Sequence, residues 1–309
     1  MDTMLTPGQV AARQHITTGA VYLRLKKGRY PGAYRLGNTA KSLWLIPASS
    51  LDARPASSRT TLTHTHYRGT APTGTLTRAN VDGLTITSAT ISGLHLHNCN
   101  GSITLDDVTG TRVTLTSSTL AESTLTRARL TNVTLTTLYA PRSILEHCHL
   151  THVKAHSATL SGAVIADCTL EDADMAHTAL NGAHVDQCDL PGTTLHGSNL
   201  TGTTITDTNL EHALMSGITL DGATLTGTTL THACLSGMLA RDATITDCTL
   251  TGATMMGATI VNSTLTDCDL RGVDWVGAHL LAVRMVRCRL DTSATSALTS
   301  VDTTDCSWH

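Results

Sequence analysis

Nine cysteines and sixteen histidines in a chain of 309 residues are its most reactive side chains, because thiolates and imidazoles bind metals and serve as nucleophiles or bases. Their spacing decides what they can do. Cys148, Cys168, Cys188, Cys248, Cys268 and Cys288 are separated by twenty residues or multiples of twenty, which places them along one side of a repeating structure and not around a point. His147-Cys148-His149 alternates outward, inward, outward on an extended segment, and His152 lies beyond the next corner. These groups cannot converge on a tetrahedral ion without breaking the strand. The expectation is therefore a column of small buried thiols, with no metal and no cofactor. Neighbouring thiols lie within disulfide reach by Cα distance alone, and only a reducing compartment argues against oxidation.

A second periodic set is acidic. Asp107, Asp167, Asp207, Asp247 and Asp267 share one position of the twenty-residue period, interrupted by Arg127, His147, Gln187 and Gly227. A preference for Asp at corners accounts for the rank, and a negative ridge that binds a protein partner is the functional alternative. Thr204, Thr224, Thr244 and Thr264, with Thr206, Thr226, Thr246 and Thr266, make two further ranks that suit strands. There is no glycine-rich phosphate loop, no nucleophile elbow and no carboxylate pair in a recognisable cleft, so the chain is not expected to be an enzyme.

The element that positions these ranks has a five-residue repeat. Of the 38 positions spaced by five from Leu105 to Leu290, 34 are Leu, Ile, Val, Met or Trp, three are Ala (140, 155 and 240) and one is Gly110. Two residues before each stands another small or apolar residue, as in Ala158, Ala163, Cys168, Ala173 and Ala183. Helices need a period near 3.6 and flat strands a period of 2, so neither explains a strict five. Short extended segments joined by corners do, if four of them close one coil of a solenoid. Gly162, Gly182, Gly202 and Gly222, and Gly197, Gly217, Gly237, Gly257 and Gly277, then mark two corner columns. Leu96 and Leu105 are nine residues apart, so residues 97–104 contain a one-residue slip.

Segments such as Ala79-Asn80-Val81-Asp82-Gly83, Ala173-Asp174-Met175 and Asn199-Leu200-Thr201-Gly202 resemble those of pentapeptide-repeat proteins. The resemblance implies a mainly β fold, a right-handed quadrilateral β-helix over residues 75–292. Residues 293–309 are expected to cap it, or through Trp308 to join a dimer contact. Some members of this family bind type II topoisomerases as DNA mimics and protect them from quinolones. The acidic ridge would then engage a topoisomerase or a polymerase. The threonine ranks also resemble the faces of ice-binding β-helices, a reading that a short array on a chain with a basic head does not favour.

The first sixty residues abandon the period and carry nine Lys or Arg against two Asp, while the remainder carries 12 basic and 22 acidic residues. That asymmetry points to nucleic acid at one end. Thr6-Pro7 starts a helix; Thr17 or Thr18 caps a second one over residues 19–27, which Gly28 stops. Residues 29–37 and 41–47 suggest two strands around a loop. Thr6, Ala11-Ala12, Ile16-Thr17, Val21-Tyr22, Leu25, Gly28 and Trp44-Leu45-Ile46-Pro47 resemble the winged helix-turn-helix of excisionases and mercury-resistance regulators. This implies a small α/β winged helix-turn-helix domain over residues 1–52. Its second helix would enter the major groove of double-stranded DNA with Thr17, Thr18, Gly19 and Tyr22 near bases. Arg24, Lys26, Lys27 and Arg29 would face the duplex, Lys26 and Lys27 on phosphates, with Arg35 and Lys41 on the wing. Residues 53–74, rich in Ser, Thr, Ala and Pro, are expected to be a linker.

These readings predict a sequence-specific DNA-binding regulator, a repressor of phage or mobile-element type, in which a homodimeric β-helix spaces two heads or recruits a partner. The alternative is a DNA mimic acting on gyrase or another topoisomerase. No run of about eighteen apolar residues and no signal sequence is present, so a cytoplasmic chain without membrane contact is expected.

Overall fold

The computed structural model describes residues 4–14, 18, 21–22, 25, 30, 33–36, 43–47, 62–70, 74–298 and 300–309. The chain divides into two compact units, Met1–Ser58 and Arg59–His309. Among the described residues no helix is long and apolar enough to cross a membrane.

In the first unit, β1 (Met4–Leu5), α1 (Pro7–Gln14), β2 (Tyr34–Leu36) and β3 (Leu43–Pro47) enclose one small core. The sheet order is β1-β3-β2, with both pairings antiparallel. Helix α1 begins at a reciprocal cap. The Gln9 side-chain oxygen accepts from the Thr6 N–H at 2.8 Å, and the Thr6 hydroxyl accepts from the Gln9 N–H at 3.4 Å. Thr18, Val21, Tyr22 and Leu25 are also helical. Leu5, Val10, Ala11, Val21, Leu25, Tyr30 and Ile46 form the core.

The second unit is a right-handed β-solenoid built from four-sided coils. Its register states the period directly: Leu125 pairs with Leu105 and Leu145, and Ile205 with Val185 and Leu225. We number the faces from these strands. Face one holds the 105-to-285 centres, face two the 110-to-290 centres, face three 115 to 275 and face four 120 to 280. Bridges at the same spacing join the other faces, for example Thr169↔Asp189, Thr194↔Leu214 and Asn199↔Thr219. Backbone N–H groups donate to the adjacent coil, as Leu210 to Thr229 at 2.8 Å, so the interior leaves few backbone groups unsatisfied.

Two side chains in five point inward. The centres are large and apolar, and the column two residues earlier takes small groups. Among the described residues every buried polar side chain in the solenoid belongs to that second column, including Ser118, Thr178, Ser198, Thr203 and Ser263. Their hydroxyls donate to a carbonyl of the neighbouring coil, as Thr178 to Ala155 at 3.1 Å and Ser198 to Met175 at 3.0 Å. The cysteines of the same column behave alike, Cys148 donating to Leu125 and Cys188 to Ile165, each at 3.3 Å. Ser, Thr and Cys thus satisfy one geometry, and all nine cysteines are unpaired.

The expected slip is present as one shortened coil. Leu76 pairs with Leu96 and Asn80 with Asn100, twenty residues apart, whereas Leu84 pairs with Ile103 and Leu96 with Leu115, nineteen apart. The missing residue falls between Asn100 and Ile103. Gly101 fits there because a Cβ would lie 2.3 Å from the Asp82 nitrogen. Residues assigned from sequence to the linker also belong to the coils. His66–Thr70 pairs with the strand Leu84–Ser92, and Leu62 donates to Asn80 at 2.8 Å. Backbone pairing holds this irregular segment, so its weak apolar pattern concealed it. At the other end, Arg284–Val286 pairs with Asp302–Thr304 and Arg289–Leu290 with Ser307–Trp308. The 3-10 turn Thr292–Ser296 interrupts the final coil, with Ala294 and Leu298 buried.

Candidate protein-binding surface

The outward surface is decided at the corners. The second residue after each centre turns the chain and takes a left-handed conformation, φ being 49° at Asp167, 52° at Asp172, 45° at Asp207 and 65° at Gly237. Gly, Asn and Asp tolerate this region most readily. The rank Asp107, Asp167, Asp207, Asp247 and Asp267 consists of such corners, all with positive φ, so backbone geometry is sufficient to explain the residue type.

Charge along the rank is uneven, and the structure divides it. Arg287 reaches Asp267 at 2.5 Å, and its hydrogen bond and charge hold the Asp267 carboxyl below the ordinary carboxylate range. Arg271 does the same to Asp269 at 2.5 Å, Arg241 contacts Asp221 at 3.2 Å, and Arg127 and Arg142 neutralise Asp106 and Glu122 at 2.6 Å. Between Ala155 and Ala240 the sequence holds nine Asp or Glu and no Lys or Arg. Seven of the nine fall on two adjacent faces: Asp167, Asp186 and Asp207 on face one, and Glu171, Asp172, Asp189 and Glu211 on face two. Glu146 on face one extends the band. Among the described residues, the groups that bond to these carboxylates are neutral or imidazole. Asn209 donates to Asp189 at 2.8 Å, and His147 lies 3.4 Å from Asp167.

The band is dense. From Glu146 to Glu211 is about three and a quarter coil rises of ~4.8 Å, or about 16 Å, for eight carboxylates. One charge in about 2 Å approaches the one in about 1.7 Å of a DNA duplex. Faces three and four carry few charges over the same coils; from there onward Gly197, Gly217, Gly237, Gly257 and Gly277 form a bare edge, and Leu214 and, in later coils, Met256, Val276 and Leu281 are exposed.

A profile of the family described as pentapeptide repeats matches eight copies, over residues 168–207, 205–237 and 240–272. Residues 168–237 and 240–272 are thus made of pentapeptide repeats. Solved structures similar to this chain include trypsin-treated QnrB1, a plasmid-mediated fluoroquinolone resistance protein. It is 20% identical, with 59% of this chain and 89% of that chain covered, at a TM-score of 0.47. Another is HetL, a pentapeptide repeat protein involved in heterocyst differentiation regulation from the cyanobacterium Nostoc, 19% identical over 74% of this chain and 89% of that one, at a TM-score of 0.37. No curated protein matches the chain.

Of the residues expected to touch DNA, Thr18 and Tyr22 are helical and exposed. Arg35 lies in β2, paired with Trp44. Thr17, Gly19, Arg24, Lys26, Lys27, Arg29 and Lys41 lie outside the described residues. In the pentapeptide-repeat solenoid, Asp167 and Asp207 join the acidic band, while Asp267 is taken up by Arg287. Sequence reasoning missed the face-two carboxylates Glu171, Asp172, Asp189 and Glu211. The stretch without Lys or Arg was the signal that could have found them.

Proposed function

We propose that the solenoid is a protein-binding rod whose acidic middle occupies a cationic, duplex-binding surface on a partner, with a type II topoisomerase as the partner class. The observation that carries this reading is the band of eight carboxylates on faces one and two, at nearly duplex charge density and, among the described residues, without a guanidinium partner. A rigid array of this sign accelerates encounter with a basic groove and competes with nucleic acid for it. Full-length protein added to DNA gyrase is expected to displace DNA and inhibit supercoiling. The Asp167→Asn/Asp189→Asn/Asp207→Asn variant keeps side chains of the same shape, with Asn tolerated at the two corners 167 and 207, and should weaken this effect. Unchanged DNA binding by gyrase at saturating full-length protein would refute the proposal.

A second reading, sequence-specific DNA regulation through the head, draws support from Val21 and Leu25. They lie one turn apart in the core shared with Val10 and Ile46, while Tyr22 is 42% exposed. In that reading a homodimer would present two heads to two half-sites. Selection of bound genomic fragments, with Lys26→Ala/Lys27→Ala as control, tests recognition, and sedimentation tests the dimer. Absence of any enriched fragment removes this reading and leaves the first untouched.

A further inference from the structure

The inward cysteines form two runs in one column, separated by Thr208 and Thr228, that differ at their ends. Cys148, Cys168 and Cys188 are closed by Ala128 on one side and Thr208 on the other, both buried. Cys248, Cys268 and Cys288 are 1%, 1% and 0% exposed, but the next member, Cys306, is only partly buried. Pairing of Val286 with Thr304 and of Arg289 with Ser307 sets Cys288 and Cys306 level on adjacent coils. Their thiols also point alike. Cys288 donates to Leu265 at 3.5 Å, and Cys306 donates to the equivalent carbonyl of Met285 at 3.4 Å.

Paired strands on adjacent coils lie about 4.8 Å apart, and the matching orientation of the two thiols carries that spacing toward their sulfurs. A disulfide needs its Cβ atoms about 3.5–4.5 Å apart and its sulfurs at about 2.05 Å, so this arrangement resists oxidation without a change of backbone or rotamer. It suits an ion held in line between the sulfurs, since two metal–thiolate bonds of about 2.3 Å span about 4.6 Å. Among the described residues no three metal-ligating side chains converge, which excludes a tetrahedral zinc site and leaves two-coordination. Soft thiolates favour Cu(I).

We infer that Cys288 and Cys306 form a two-coordinate site for Cu(I) at the partly exposed end of the thiol column. Binding breaks two S–H bonds and makes two S–Cu bonds. Both protons leave to solvent, no electron is transferred, and the product is an anionic bis-thiolate. Cys306 provides the entry path that the closed run lacks.

The test is an anaerobic titration of the full, reduced chain with Cu(I) supplied as its bicinchoninate complex, followed by X-ray absorption of the bound ion. One equivalent should transfer, with two sulfur neighbours and no nitrogen. Cys306→Ser should weaken binding at least tenfold, whereas Cys168→Ser should leave it unchanged. Both variants should fold, because Thr208 and Thr228 place buried hydroxyls in this column and Ser198 and Ser263 occupy the equivalent inward position on other faces. Equal uptake by Cys306→Ser, loss of uptake in Cys234→Ser, or a three- or four-coordinate ion would each overturn the inference.

Discussion

Gly110 is the one glycine at a repeat centre, and replacing it should injure the solenoid more than replacing any corner glycine. A Cβ at Gly110 would lie 2.0 Å from the Ile91 carbonyl oxygen and 2.8 Å from its carbon. The obstacle is backbone. Ile91 and Gly110 are Cα partners, flanked by Thr90↔Thr109 and Ser92↔Thr111, so neither strand can withdraw without straining neighbouring hydrogen bonds. Overpacking costs about 1–3 kcal/mol, and the loss of one or two ladder bonds adds about 1 kcal/mol each. Gly110→Ala should therefore cost about 2–5 kcal/mol. Gly237 is the contrast, with φ at +65° and nothing within 4 Å of an added Cβ. Gly237→Ala should cost only the left-handed conformation, about 1–2 kcal/mol, and Gly237→Asn less. Stacked coils need not unfold in one step. Urea midpoints should thus be compared alongside amide exchange in the strands Leu84–Ser92 and Ile103–Thr111. Gly110→Ala should lower the midpoint most and release those strands first. Equal midpoints for Gly110→Ala and Gly237→Asn would refute the argument from backbone contact.

Three other outcomes follow from the same geometry. In the Asp167→Asn/Asp189→Asn/Asp207→Asn variant, each exposed carboxylate neutralised should remove about 0.2–1 kcal/mol of attraction to a cationic partner. Gyrase binding by titration should weaken roughly threefold to a hundredfold, while Asp267→Asn, whose charge Arg287 already answers, should change it less than twofold. Arg287→Ala should raise the Asp267 carboxyl midpoint toward the ordinary value of about 3.9, followed by carbon NMR. Because the folded value is depressed, the pair's stabilisation is present above the unfolded midpoint and disappears as pH falls through the folded one. Cys168→Ser should shift thermal stability by less than about 1 kcal/mol, since Ser198 makes the equivalent donation to a neighbouring carbonyl.

The solenoid was legible because its two inward columns impose different size limits, and those limits recur strictly enough to expose even the missing residue before Leu105. Leu62 and Tyr67 were not legible as coil residues. Their segment is held by pairing with residues 80–90, and backbone hydrogen bonds leave no mark on side-chain pattern. The acidic band was half legible. Asp167 and Asp207 stand in one corner column, but joining them to Glu171, Asp172 and Asp189 requires knowing that faces one and two share an edge. The head offered a pattern of residue types, of which the helical Val21 and Leu25 and the strand pairing of Arg35 with Trp44 are now seen.

The corners explain how such a rod can carry a charge pattern at little cost to its fold. Among the described residues with positive φ are Asp, Asn, His, Arg, Ser, Glu and Gln as well as Gly, whereas Thr137 is the sole β-branched one and Val, Ile and Leu do not occur. The backbone thus excludes β-branched aliphatic groups from the edges, where a left-handed conformation crowds the Cβ, but it discriminates weakly among polar ones. Replacing Asp207 by Asn, or Gln187 by Asp, leaves the inward columns and the interstrand hydrogen bonds unchanged. Surface charge can therefore vary almost independently of stability, coil by coil. In this chain that freedom places guanidiniums beside carboxylates toward both ends and withholds them from the middle, an arrangement the backbone does not require.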